Sequence, residues 1–141
     1  MNALFSDTVF RQSIPLAKRV VILVAEGVSL TTFSTTLEPF QQANTLLGRE
    51  QFILTLVSLS EKTPVTSAGV PVPCHISSRE VFNRHELKLR PDLVILCCGQ
   101  TIGDGQTTLL HEFLRKLARI SVPIFALGAA SAVVAAAGMI K

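Results

Sequence analysis

The sequence predicts an α/β fold, an open and mostly parallel sheet with helices on both faces. Three observations predict it. Val20–Val24 and Leu93–Cys98 are continuous apolar runs rich in β-branched residues, the pattern of central strands covered on both sides. Between such runs, apolar residues recur every three or four positions, the spacing of a helix with one buried face. The two kinds of segment alternate along the chain, which is the order that builds parallel sheets.

Residues 1–18 have no clear period and read as an N-terminal arm, so the domain is expected over 19–141. The first strand, Val20–Val24, is bounded by Gly27. Ser29 is a helix cap, and Leu30, Phe33, Leu37, Phe40, Asn44 and Leu47 then follow at helical spacing to a stop at Gly48. Pro39 inside this helix predicts a kink, because it cannot donate to the Thr35 carbonyl. A second strand is predicted over Phe52–Ser58, and a small hairpin from Val65–Ser67 and Val70–Pro73 across Ala68-Gly69. The polar stretch Ile76–Arg90 reads as a loop with a short helix. Arg90-Pro91-Asp92 announces the strand Leu93–Cys98. A helix over Thr107–Ile120 turns Leu110, Phe113, Leu114 and Leu117 inward and Arg115, Lys116 and Arg119 to water. Val122–Ala126 is the next strand and Ala129–Ala137 the last helix.

Composition narrows the function classes. The 141 residues make one domain, 48% hydrophobic with a mean hydropathy of +0.46, much of the excess being alanine near the C-terminus. No apolar run reaches the ~20 residues of a membrane-spanning helix, and no signal-peptide core is present, so a cytoplasmic location is expected. The net charge of +3 is spread along the chain without a basic, aromatic-interleaved patch, which gives no direct sign of nucleic acid. Three cysteines, two of them adjacent, fit reduced thiols and no zinc motif. His75, His85 and His111 share no ligand spacing. No cofactor and no metal are expected.

Ligands of open parallel sheets bind beyond the carboxyl ends of the strands. Those ends are Glu26-Gly27, Cys98-Gly99-Gln100 and Leu127-Gly128-Ala129. Glu26 is either a solvated acid or a carboxylate that meets an amine or guanidinium. Gln100 is a loop residue or a donor to the same ligand. Gly128 and Ala129 open a helix, whose first N–H groups suit an anion. Cys98 reads as core, and Ser131 as a hydroxyl bonded to backbone or solvent.

Several segments together resemble a known family. Val20–Val28 followed by Leu37-Glu38-Pro39-Phe40 and Ala43-Asn44, Phe52–Ser60 with Pro64–Gly69, Asp92–Gly99, and Ile124–Ile140 with its Ala137-Gly138-Met139-Ile140 are similar to the N-terminal class I glutamine-amidotransferase-like, PfpI-type sensor domain of AraC-type transcription regulators. The likeness covers about residues 19–141. It implies a flavodoxin-like three-layer sandwich. In catalytic relatives a cysteine stands on the sharp strand-to-helix turn, and that position falls on Gly128. The acidic partner in the first helix falls near Thr32, and the second glycine after the Cys98 strand is Gln100. The resemblance therefore implies a non-catalytic, ligand-sensing and dimerising domain, with a small amino-acid-like or amine-bearing metabolite at Glu26, Gly27, Gly99, Gln100, Gly128 and Ala129. It also implies further sheet and helix after the elbow and a DNA-binding helix-turn-helix domain, so the chain reads as an incomplete domain that meets DNA only through another. The alternative is a PfpI- or amidotransferase-type hydrolase or lyase with an atypical nucleophile.

Overall fold

Five parallel strands form one sheet in the order β3-β2-β1-β4-β5 in a computed structural model that describes residues 15–82 and 90–139. The strands are β1 Lys18–Val24, β2 Phe52–Ser58, β3 Ile76–Ser77, β4 Leu93–Cys97 and β5 Ile124–Leu127. The helices are α1 Leu30–Leu47, α2 Ser78–Val81, α3 Asp104–Ala118 and α4 Ala130–Ala136. Residues 1–14 of the expected arm and 83–89 of the polar stretch lie outside the described residues, as do Ile140 and Lys141. Lys18, assigned to the arm from sequence, is the first residue of β1.

β1 sits at the centre, paired with β2 from Lys18↔Phe52 to Val24↔Ser58 and with β4 from Val20↔Leu93 to Val24↔Cys97. Its alternating side chains feed two cores. Val21 and Leu23 join Leu96, Leu110, Phe113, Leu114, Ala130 and Val134 on the α3–α4 face. Val20, Ile22 and Val24 join Ile95 and Cys97 under α1. Burial on both faces is why these strands read as unbroken apolar runs.

α1 packs on that second core through half-buried Phe33, Leu37 and Phe40, with the Phe40 and Phe52 rings edge to face at 5.1 Å. Leu30 and Leu47, at the helix ends, are exposed. Ser29 caps the start by accepting the Thr32 N–H, and Gly48 closes the end at φ 63°. The helix continues through Pro39. Asn44 fastens its last turns to the sheet: its amide donates to the Phe52 carbonyl and its oxygen accepts the Phe52 N–H, both at 2.8 Å.

Several boundaries differ from the sequence reading. α3 begins at Asp104, one residue after its cap Gly103. The Gly-Asp-Gly stretch looks like a loop, yet an acid in the first turn favours a helix start. β5 begins at Ile124 because Pro123 has no N–H for a ladder and contributes only its carbonyl, to Val94. The hairpin reduces to one antiparallel bridge, Val65↔Pro71. Within the polar stretch, Ile76–Ser77 forms the short edge strand β3, and Ser77 and Glu80 close a capping box on α2. Among the described residues no helix is long and apolar enough to cross a membrane.

Candidate functional site

The carboxyl ends of β1, β4 and β5 converge on a seam of glycines. Gly27 turns the chain at φ 78° between β1 and α1, and its N–H donates to the Val65 carbonyl at 2.9 Å. Gly99 follows β4 and is buried. A Cβ at Gly99 would stand 2.5 Å from the Gly27 carbonyl oxygen. Gly128 makes the strand-to-helix turn at φ 67°, and a Cβ there would stand 2.4 Å from the Cys98 oxygen and 2.6 Å from the Gly99 oxygen. Three backbones thus meet where larger residues would force them apart.

The groups around this seam are largely engaged with one another. The Ala129 N–H donates to the Gly99 carbonyl at 2.8 Å, so this amide is turned into the protein. Ser131 gives its hydroxyl to the Gly128 carbonyl at 2.8 Å, the backbone bond that the sequence suggests. Glu26 is exposed; its N–H donates to the Gln106 side chain at 3.1 Å and its carboxylate accepts the Val65 N–H at 2.9 Å. Ser67 adds a bond to the Val28 carbonyl, and Val72 is buried in the α1-side core, so the 65–71 turn is seated on the end of β1. Gln100 is exposed beyond β4.

The thiols are poorly placed for chemistry. Burial pushes the Cys98 thiol up to about 12, with the neighbouring Cys97 adding to the rise and the Ala130 N–H opposing it. Cys97 is likewise raised by burial, against a lowering contact with the Thr36 hydroxyl. Cys74 is raised to about 11 by burial. A nucleophilic cysteine needs the thiolate at neutral pH, and these environments disfavour it. His75 lies in line with β3, where its Nδ1 accepts the Leu56 N–H at 2.8 Å, and His111 lies on α3. Among the described residues no three His, Cys, Asp or Glu side chains are grouped to hold a metal.

Open space lies elsewhere on the same side of the sheet. A cavity of about 430 Å³ beyond β2 and β3 is lined by Glu61, Thr63, Cys74, His75 and Glu80 among others. A second of about 370 Å³ adjoins it, sharing Glu61 and Ser77 and reaching Lys62, Arg79 and Leu109. The exposed Glu61–Arg79 pair, at 3.2 Å, joins residues of the two. Sequence reasoning passed over this corner. Its signals were the polar run Ser58–Lys62 after a strand and the Ser77–Glu80 capping spacing.

The topology, with its left-handed turn at the β5–α4 elbow, defines a domain of the flavodoxin-like DJ-1/PfpI fold. An AraC family transcriptional regulator from Pseudomonas putida superposes with a TM-score of 0.69 at 20% identity, over 87% of this chain and 62% of that one. DJ-1beta of Drosophila melanogaster gives a TM-score of 0.63 at 20% identity, over 87% and 61%. In sequence, the chain is similar to the HTH-type transcriptional regulator GlxA of Rhizobium meliloti (strain 1021), 27% identical over 124 residues. That match spans 87% of this chain but only 36% of the regulator. No family model matches the chain.

Proposed function

We propose that this domain is the non-catalytic sensor of an AraC-type transcriptional regulator, binding a small amino-acid-like or amine-bearing metabolite and acting as a homodimer in the cytoplasm. One observation carries the reading. At the elbow, where a DJ-1/PfpI-type enzyme would present its nucleophile, Gly128 has no side chain and faces two carbonyl oxygens at a distance that leaves no room for one. The raised thiols of Cys97 and Cys98 offer no substitute. The similarity to GlxA supports the regulatory role, with DNA contacted by a helix-turn-helix domain beyond these residues.

The ligand site is proposed along the carboxyl edge, at Glu26, Gly27, Gly99, Gln100, Gly128 and Ala129. Exposed Glu26 and Gln100 are its polar contacts, whereas the glycines set the floor. The Ala129 N–H is turned onto Gly99 and is not offered to a carboxylate, whereas the second oxygen of Glu26 is placed to accept an amine. Ligand would act by favouring one dimer geometry through unequal affinity for two states.

A thermal-shift screen of amino acids, betaines and polyamines tests this. A ligand at a hundredfold its dissociation constant adds about 2.7 kcal/mol to folding stability, and Glu26→Gln should weaken the response to an amine. No stabilisation by any of them would remove the sensor reading. Glutaminase or peptidase turnover that disappears in Cys98→Ser would replace it with an atypical hydrolase.

A further inference from the structure

The cations that are dispersed along the sequence are gathered by the fold onto the amino edge of the sheet. Hydrogen bonds trace that edge from strand to strand. The Gln51 N–H donates to the Arg49 carbonyl and the Lys18 N–H to the Gln51 carbonyl, at 3.0 and 2.8 Å. The Asp92 N–H donates to the Arg19 carbonyl, and the Asp92 carboxylate accepts the Arg19 N–H, both at 2.8 Å. The Arg90 guanidinium donates to the Ser121 carbonyl, two residues past Arg119. A basic residue therefore stands at or just before the start of β2, β1, β4 and β5, four adjacent strands. Neighbouring strands lie ~4.8 Å apart, so the row extends ~15 Å.

α3 joins the carboxyl end of β4 to the amino end of β5, so its last turn comes down on the same edge and brings Arg115 with it, whereas the Lys116 ammonium turns back over the Phe82 ring, 5.1 Å from its centroid. Six of the nine Lys and Arg among the described residues, Lys18, Arg19, Arg49, Arg90, Arg115 and Arg119, are thus on this edge, against only Glu50 and Asp92 of eight carboxylates. Among the described residues the sole ion pair is Glu61–Arg79, at the opposite end of the sheet, so none of the six is paired with a described carboxylate. Compensation of a helix dipole accounts for Arg115, Lys116 and Arg119 at the end of α3. It does not account for Lys18, Arg19 or Arg90, which sit on strands or the turns that lead into them.

We infer that the amino edge of the sheet is a docking surface for the phosphate backbone of duplex DNA, contacting it without base readout. A row of cations a few ångströms apart answers a line of evenly spaced charges, and release of counterions from that line drives such binding. The choice of DNA among polyanions rests on the regulatory reading given above. The sensor domain then adds nonspecific affinity to a sequence-reading domain, and presents its ligand-binding edge away from the DNA.

The full 141-residue chain and a fluorescent 20-base-pair duplex of arbitrary sequence test the inference by anisotropy. With about four phosphates contacted, the logarithm of affinity should fall against the logarithm of salt with a slope near −3.6, roughly a 150-fold loss from 50 to 200 mM. The triple variant Arg49→Glu, Arg115→Glu, Arg119→Glu should bind at least tenfold more weakly at 50 mM while its circular dichroism and thermal midpoint are kept. Lys62→Glu, at the other edge, should bind as the parent does. Absence of binding at 50 mM, equal binding by the triple variant, or tighter binding to phosphatidylserine vesicles than to the duplex would each overturn it. The ligand screen is read without nucleic acid, so either proposal can fail while the other stands.

Discussion

The carboxylate of Glu26 accepts the backbone N–H of Val65 at 2.9 Å, and so ties the turn after β1 to a segment 39 residues further along the chain. The contact is reinforced by the neighbouring Gly27 N–H on the Val65 carbonyl. The acid is thus both a candidate ligand contact and a clamp on the loop beside it, and substitution separates the two. Glu26→Gln keeps an oxygen that can accept the Val65 amide, and should leave stability within a few tenths of a kcal/mol. Glu26→Ala loses the acceptor and should cost about 1 kcal/mol, reduced from a buried charged bond by solvent screening. Urea unfolding of the two variants measures the difference, and amide exchange at Val65 should quicken only in the alanine variant.

Gly128 should tolerate no side chain. Adopting a left-handed backbone costs a non-glycine residue about 1–2 kcal/mol before any contact is counted. A Cβ 2.4 Å from the Cys98 oxygen adds a clash with backbone, which cannot swing aside as a long side chain can. Gly128→Ala and Gly128→Cys are both expected to lower the urea midpoint by the equivalent of more than 2 kcal/mol, and Gly128→Cys to gain no hydrolytic activity. An unchanged midpoint in Gly128→Ala would mean that the elbow is more open than its carbonyls indicate.

Stability should fall in alkali because of the buried thiols. The Cys98 pKa is raised from 9.0 to about 12, and Cys97 is raised as well. Below pH 9 the folded and unfolded chains both hold these protons, and the stabilisation is complete. As the pH climbs from 9 toward 12 the unfolded chain releases them first, and the stabilisation is lost. Each such thiol contributes a slope of up to ~1.4 kcal/mol per pH unit in that window. Cys98→Ala should flatten the profile of unfolding free energy between pH 9 and 11, whereas Cys74→Ala should change it less.

The outer strand offers a route to self-association. Among the described residues β5 has one open edge, and Phe125 on it is 61% exposed. Exposed apolar edge strands invite pairing with another chain unless a charge blocks them. Light scattering after size exclusion should find the parent chain associating at high concentration, with Phe125→Lys at least tenfold less prone to it. A parent that stays monomeric would move the proposed dimer contact elsewhere. Ala132 and Ala136 on α4 are the next candidates, being exposed where Val133 and Met139 lean on the core.

Most of the sheet was legible in the sequence because its strands are apolar on both faces. Val20–Val24 and Leu93–Cys97 can sit only in the middle of a covered sheet, and the 3.6-residue periods between them name the covering helices. The turn at Leu127-Gly128-Ala129 was legible from the order of strand, glycine and helix, and only its likeness to a nucleophile elbow came through resemblance. What escaped was decided by partners far away in sequence. Ile76–Ser77 is a strand because β2 offers Val57 and Ser58 beside it, which a two-residue run cannot announce. The occupation of Glu26 by Val65 and of Ala129 by Gly99 is equally nonlocal. The basic edge was hidden for the same reason: no two of its clusters adjoin in sequence, and only the strand order brings them into a row.

The position of β1 at the middle of the sheet has a consequence for the chain as it is made. Its β2 side can be filled early, but its β4 side stays bare until Leu93–Cys97 emerge from the ribosome some seventy residues later. During that interval a greasy ribbon, Val20–Val24, has a free row of amides and carbonyls. Contacts of this separation form slowly, and half-built sheets of this kind stick to their neighbours. Yield on expression should therefore depend less on the finished fold than on how quickly β4 arrives, or on whether a chaperone shelters the nascent segment until it does.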